Sequence, residues 1–210
     1  MSFFKNSKAA NITIGHNVTY VNGNMANAFY NCFNMNSPIR IPNGVTNMYY
    51  AFYNCRNFNQ PVEIPNGVSH MGYAFAGCKS LNQYIDIPKG VVNLYGVFRE
   101  CESLAKDVYI PASVVDIRYA FTNTNYGGNL YFIGANNAVE MNFYGIFNNR
   151  ASGSKRVNIY ANNLGWLQPR LIDPTGQNTL ILGVNLKWTT SGQWRFNALY
   201  NIYVYTAYRG

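Results

Sequence analysis

The sequence predicts a short solenoid, mainly β with short helices, of about six coils and ending in a β-rich C-terminal cap. Three observations predict it. Cys32, Cys55, Cys78 and Cys101 are spaced 23 residues apart. Pro42, Pro65, Pro88 and Pro111 keep that step, and so do Phe29, Phe52, Phe75, Phe98 and Phe121. Apolar residues between them recur in columns at the same period. A fixed period of this size marks stacked supersecondary units, each too small to bury its own apolar face.

In chain order, residues 1 to about 13 read as a lead-in. Ile14-Gly15-His16-Asn17-Val18 is an atypical first corner without its proline. The regular coils follow. Their columns are Ile41, Ile64, Ile87, Ile110 and Ile133; then Ile39, Val62, Ile85, Val108 and Tyr131; then Val45, Val68, Val91 and Val114. Two more are Met48, Met71, Leu94 and Ile117, and Met35, Phe58, Leu81 and Leu104. Val62-Glu63-Ile64 and Val108-Tyr109-Ile110 alternate as short half-buried strands do. The proline then ends the strand, and nearby Gly or Asn turns the chain. Ala-Phe-x-x-Cys-x-x-Leu spaces its apolar residues by three and four, which predicts one or two helical turns.

The pattern decays after Leu104. Thr124 replaces the fifth cysteine, Gly134 the fifth proline, and Phe147 comes late. Ser152-Gly153-Ser154-Lys155-Arg156 reads as an exposed loop, and Val157-Asn158-Ile159 as one more strand. The repeat is gone by Asn162. The predicted division is therefore a solenoid over 1–162 and an aromatic, β-rich cap or docking segment over 163–210. That segment holds Trp166, Trp188 and Trp194. Thr179–Leu182 and Asn185–Thr189 read as strands, with Ser191-Gly192 as a hairpin turn. Tyr200–Tyr208 is strongly β-forming and apolar on both faces, so it needs a covering partner.

Composition narrows the function. Charged residues make up 11% of the chain, against about 25% in ordinary domains. Asn and Tyr carry the polar work, and Asn suits tight turns. The net charge is +8, but the cations are scattered rather than gathered in a stripe, so a nucleic-acid partner is not expected. No run approaches the ~18 apolar residues of a membrane span. Met1-Ser2-Phe3-Phe4-Lys5 lacks the apolar core of a secretory signal, so export by the usual route is not expected.

Ile-Pro-x-x-Val-x-x-Ile/Met, followed by Ala-Phe-x-x-Cys-x-x-Leu, resembles the BspA-like class of leucine-rich repeats over roughly residues 14–160. The resemblance implies a right-handed parallel solenoid with a sheet face open for binding. Proteins with this repeat are bacterial or protist surface proteins involved in adhesion, and phage structural proteins. It implies no catalytic activity and no cofactor. Cell-surface members carry export signals or wall anchors, and this sequence shows neither.

The periodic cysteines read as a ladder of small buried thiols rather than a metal site, whose ligands gather within one loop. By alternation, Arg40, Glu63, Asp86, Tyr109, Phe132 and Asn158 share one outward face and form the candidate ligand-binding ladder. Glu63 and Asp86 would lie one coil apart, near the ~5–5.5 Å carboxyl separation of a retaining glycosidase. Neither has an apolar pocket to raise its pKa, and Arg40 favours the ionised form. Surface ion pairing is therefore expected, with no catalytic residues. Tyr49, Tyr50, Tyr73, Tyr95 and Tyr119 form a second candidate surface, since Tyr offers contact area at small entropic cost. Trp188, Trp194, Tyr203 and Tyr205 are the candidate assembly residues.

His16 and His70 fit no ligand spacing, and no nucleophile elbow, phosphate loop or dinucleotide fingerprint appears. The expected function is a non-enzymatic structural or attachment protein of a virus particle, such as a bacteriophage tail, fibre or head appendage. The alternative is a binding module of a bacterial cell-surface adhesin. Expected partners are other virion proteins, a second copy of the chain, or a host surface protein or glycan.

Overall fold

The computed structural model describes residues 4–15, 21–133, 141, 145–147, 157–161, 184–187, 192–197 and 202–207. Coils stack in parallel. The bridges Asn24 to Asn47, Asn47 to His70, His70 to Asn93 and Asn93 to Asp116 mark one equivalent point per coil.

The Ala-Phe-x-x-Cys segments are not helical. Each is a run of consecutive turns whose N–H groups alternate in direction. Ala51, Tyr53 and Cys55 donate within their own coil, to Met48, Tyr50 and Phe52 carbonyls. Met48, Tyr50, Phe52 and Asn54 donate forward, to His70, Gly72, Ala74 and Ala76 of the next coil. The alternation requires two left-handed residues per coil. These are Asn27, Tyr50, Tyr73, Gly96 and Tyr119 at one position, and Asn31, Asn54, Gly77, Glu100 and Asn123 at the other. Gly and Asn take that conformation readily. Tyr50, Tyr73, Tyr119 and Glu100 do not, and each pays roughly 1–2 kcal/mol for it.

Apolar spacing of three and four identifies the inward side chains correctly. It does not report where the N–H groups go, so it cannot separate this turn ladder from a helix. The single helical element among the described residues is a 3-10 turn at Val21–Gly23.

The core is a column of stacked rings. Centroids are 5.0 Å apart for Phe29–Phe52, 5.2 Å for Phe52–Phe75, 6.0 Å for Phe75–Phe98 and 5.7 Å for Phe98–Phe121. The column runs further than the period suggests. Phe4 stacks on Phe29 at 5.4 Å and Phe147 on Phe121 at 5.4 Å. The first residues are thus no mere lead-in: Phe4 and Asn6 donate to the Ala28 and Tyr30 carbonyls as later coils do.

The four cysteines are free and buried. Each thiol donates to a carbonyl in the preceding turn: Cys32 to Phe4 at 2.9 Å, Cys55 to Phe29 at 3.0 Å, Cys78 to Phe52 and Cys101 to Phe75, both at 3.1 Å. These bonds run backward along the stack. So do Ser80 N–H to Arg56 and Ser103 N–H to Lys79.

An asparagine ladder runs backward as well. Asn36 Oδ1 accepts from Asn59 N–H, Asn59 Oδ1 from Asn82 N–H, and Asn82 Oδ1 from Ala105 N–H, at 2.9 to 3.0 Å. Asn59 Oδ1 also accepts from the Gln83 amide. Asn59→Ala removes both bonds and is expected to cost about 1–2 kcal/mol. It should appear as a lower urea midpoint at unchanged slope; an unmoved midpoint would show that water replaces the ladder.

On the strand side, Ile39-Arg40-Ile41, Val62-Glu63-Ile64 and Ile85-Asp86-Ile87 put their middle residue out and their first residue in. None of the three is a laddered strand. Pro38 and Pro42 flank the first and Pro61 and Pro65 the second, and Pro88 follows the third. Proline has no N–H for a ladder. The sheet begins where prolines thin out, at β1 (Val108–Pro111), followed by β2 (Asn129–Ile133), β3 (Val157–Ala161), β4 (Val184–Lys187), β5 (Gly192–Asn197) and β6 (Ile202–Ala207).

The strand order is β1-β2-β3-β4-β6-β5. All pairings are parallel except β5 with β6. The expected Ser191-Gly192 hairpin is therefore corrected: β4 pairs with β6, and the antiparallel pair is β5 with β6. The strand ending the chain has an in-chain partner on each side. Thr179–Leu182 and Trp188 lie outside the described residues.

Candidate binding surface

The outward ladder is partly as expected. Arg40, Glu63 and Asp86 are exposed, and Tyr109 is half-buried. Phe132 is a correction. In the register of β1 with β2, Val108 faces Leu130, Tyr109 faces Tyr131, and Ile110 faces Phe132. Phe132 is 2% exposed and belongs to the core. One coil is a residue shorter than the period, and a one-residue slip exchanges the two faces of a strand. Tyr131 takes the outward place and stacks on Tyr109 at 4.6 Å. The column assignments of Tyr131 and Ile133 move with it, to Leu130 and Phe132.

Asn158 pairs with Asn129, two residues before Tyr131, and the residues opposite Tyr131 and Phe132 are Tyr160 and Ala161. Glu63 and Asp86, where surface ion pairing is expected, are in none of the ion pairs that join described residues. Among the described residues the ion pairs are Lys79–Glu102, Arg99–Glu100 and Arg118–Asp116. In the C-terminal strands, Trp194 is the register partner of Tyr205, and Tyr203 that of Phe196.

The tyrosine set is brought together more fully than the sequence indicates. Tyr50 stacks on Tyr73 at 4.8 Å, Tyr49 meets the edge of Tyr50 at 4.4 Å, and Tyr73, Tyr95 and Tyr119 continue the run at 5.0 and 5.5 Å. Tyr30 and Tyr53, overlooked in the sequence, join it, stacked at 4.8 Å. Their own 23-residue spacing was the available signal.

Small residues make room for the rings. A Cβ on Gly72 would lie 2.6 Å from the Tyr49 ring, and one on Gly96 would lie 2.5 Å from the Tyr73 ring. A cation lies near each end of the run. Lys5 sits over Tyr30 at 5.0 Å and Arg118 over Tyr95 at 4.9 Å, within cation–π range.

Burial, then hydrogen bonding with Tyr95, pushes the Tyr73 hydroxyl up to about 12. Burial and Tyr49 push Tyr50 up as well. The surface therefore offers neutral hydroxyls at physiological pH. Hydrogen bonding to Asp116 raises Arg118 and keeps it cationic.

Such a face can stack on flat groups, donate hydrogen bonds and attract negative charge. Among the described residues no cluster of three His, Cys, Asp or Glu is placed to hold a metal ion. No described helix is long and apolar enough to cross a membrane.

Residues 1–127 match the family described as BspA type Leucine rich repeat region, in six copies. No curated protein matches the chain. Among solved structures, the chain is similar to a leucine-rich repeat protein from Bacteroides ovatus, at 17% identity and a TM-score of 0.33 over 84% of this chain. It spans 61% of that protein's length.

Proposed function

The chain belongs to the BspA-type leucine-rich repeat family, and from that membership we propose that it is a non-enzymatic module that binds a protein partner through its tyrosine face. The observation that carries the reading is the unbroken run of seven tyrosines, with Lys5 over Tyr30 and Arg118 over Tyr95. Solenoids present extended surfaces of this kind for recognition. Tyr and Arg are the residues most enriched where binding energy concentrates. The flanking cations and the net charge of +8 favour a partner surface that is aromatic and acidic.

The test is selection of binders from a random peptide display library on the immobilised full chain. Acidic, aromatic peptides are expected. Tyr49→Ala and Tyr95→Ala should each weaken them about tenfold or more. Peptides of no common chemistry, or binding indifferent to both substitutions, would remove the tyrosine face from the function.

The finer reading is a component of a virus particle, with a bacterial surface adhesin as its alternative. The low share of charged residues, 11%, and the strand-rich C-terminal segment support the first. Solution mass of the full chain separates them. A defined symmetric oligomer favours the particle component, and a monomer favours the adhesin.

A further inference from the structure

On the strand side lies a second feature that the tyrosine face does not include. Tyr84, Asp86 and Lys89 from one coil and Tyr109, Pro111 and Ser113 from the next line a cleft of about 410 Å³. That volume falls within the roughly 300–1,000 Å³ of small-ligand sites. We propose that this cleft binds a neutral sugar.

The walls are aromatic. One face of Tyr109 is occupied by Tyr131, stacked at 4.6 Å, which leaves the other toward the cleft. Tyr84 meets Tyr109 edge to face, at 68° and 6.1 Å, and is 50% exposed, so a sugar rests against this pair rather than between its rings. The C–H face of a pyranose carries partial positive charge and rests on the negative face of such a ring. Pro111 adds apolar floor.

The polar groups suit hydroxyls. Asp86 accepts, Lys89 donates, and neither is spent in an ion pair among the described residues. Ser113 donates its proton to the Val91 carbonyl at 2.6 Å, so its oxygen is left to accept. Burial and the Asp86 carboxylate hold Tyr84 protonated, as a donor.

Charge selects the ligand class. Asp86 and Lys89 cancel at the cleft, on a chain whose net charge is +8. A site built for an anion would show an excess of cations. This one balances, and a neutral polyhydroxylated ring matches it.

The experiment is saturation-transfer NMR on the full chain with millimolar methyl glycosides of glucose, galactose, mannose and N-acetylglucosamine, beside methyl glucuronide. At least one neutral glycoside should bind. Asp86→Asn and Tyr84→Ala, both at exposed positions, should each weaken it about tenfold. Tyr49→Ala, on the other surface, should leave it unchanged. The proposal is overturned if no neutral glycoside binds, if binding survives both cleft substitutions, or if the glucuronide is preferred.

Discussion

Phe75→Ala is expected to lower the free energy of unfolding by about 3–5 kcal/mol, the cost of truncating a fully enclosed aromatic ring. Phe75 has no exposed surface. It stacks between Phe52 at 5.2 Å and Phe98 at 6.0 Å. The cavity would open at two coil interfaces at once, and in a repeat stack those interfaces carry the cooperativity. Phe4→Ala is the control. Among the described residues Phe4 is the first ring of the column, stacks on Phe29 and is partly buried, so its loss should be smaller. Urea unfolding measures both. A Phe75→Ala loss below about 1 kcal/mol, or one equal to that of Phe4→Ala, would show that the column does not hold the coils together.

Raising the pH is expected to destabilise the fold steeply. Burial pushes the thiols of Cys55, Cys78 and Cys101 above their ordinary value of 9.0. Below that value these three keep the proton in folded and unfolded chains alike, and their contribution is fully present. Cys32, held below its ordinary value by hydrogen bonding with Cys55, adds stability as pH rises toward 9.0 and nothing further above it. Above it the unfolded chain releases protons that the folded chain retains. Stability then falls as pH climbs toward the folded values. Each thiol contributes about 1.4 kcal/mol per pH unit, so three give about 4 kcal/mol per unit.

Tyr50 and Tyr73, also raised, act in the same direction above pH 10. Denaturant midpoints at about pH 8, 9.5 and 10.5 should drop progressively. Cys78→Ala should reduce the slope by about a third of the thiol contribution. A midpoint constant across this range would mean that the thiols ionise within the fold.

The periodicity was a sound guide to the core because stacking forces each inward position to repeat. Phe29 to Phe121, the four cysteines and the Met48 column all occupy the interior that their spacing required. Two features escaped for physical reasons. Tyr131, Phe132 and Ile133 are all apolar, so two registers look alike, and only the hydrogen bonds of β1 with β2 select between them. The turn ladder escaped because left-handed φ at Tyr50, Tyr73 and Tyr119 contradicts local preference and is set by contacts with the neighbouring coils. The tyrosine surface was half-legible. Tyr49, Tyr50, Tyr73, Tyr95 and Tyr119 stood out near the Ala-Phe pair, while Tyr30 and Tyr53 follow it and were passed over. Their cations, Lys5 and Arg118, were hidden in a charge distribution that looked merely scattered.

The opposed hydrogen bonds have an electrical consequence for the length of the molecule. In an α-helix every peptide dipole points the same way, and charge accumulates at the ends. Here the turn ladder sends Met71, Tyr73, Phe75 and Gly77 N–H groups toward the later coils. The Ser69, His70 and Ser80 N–H groups, the Cys78 thiol and Asn82 N–H point toward the earlier ones. The two sets oppose one another within every coil, so little polarity builds up along the axis. Among the described coils, one more or one fewer would therefore add little to any dipole along the axis, unlike a turn added to a helix.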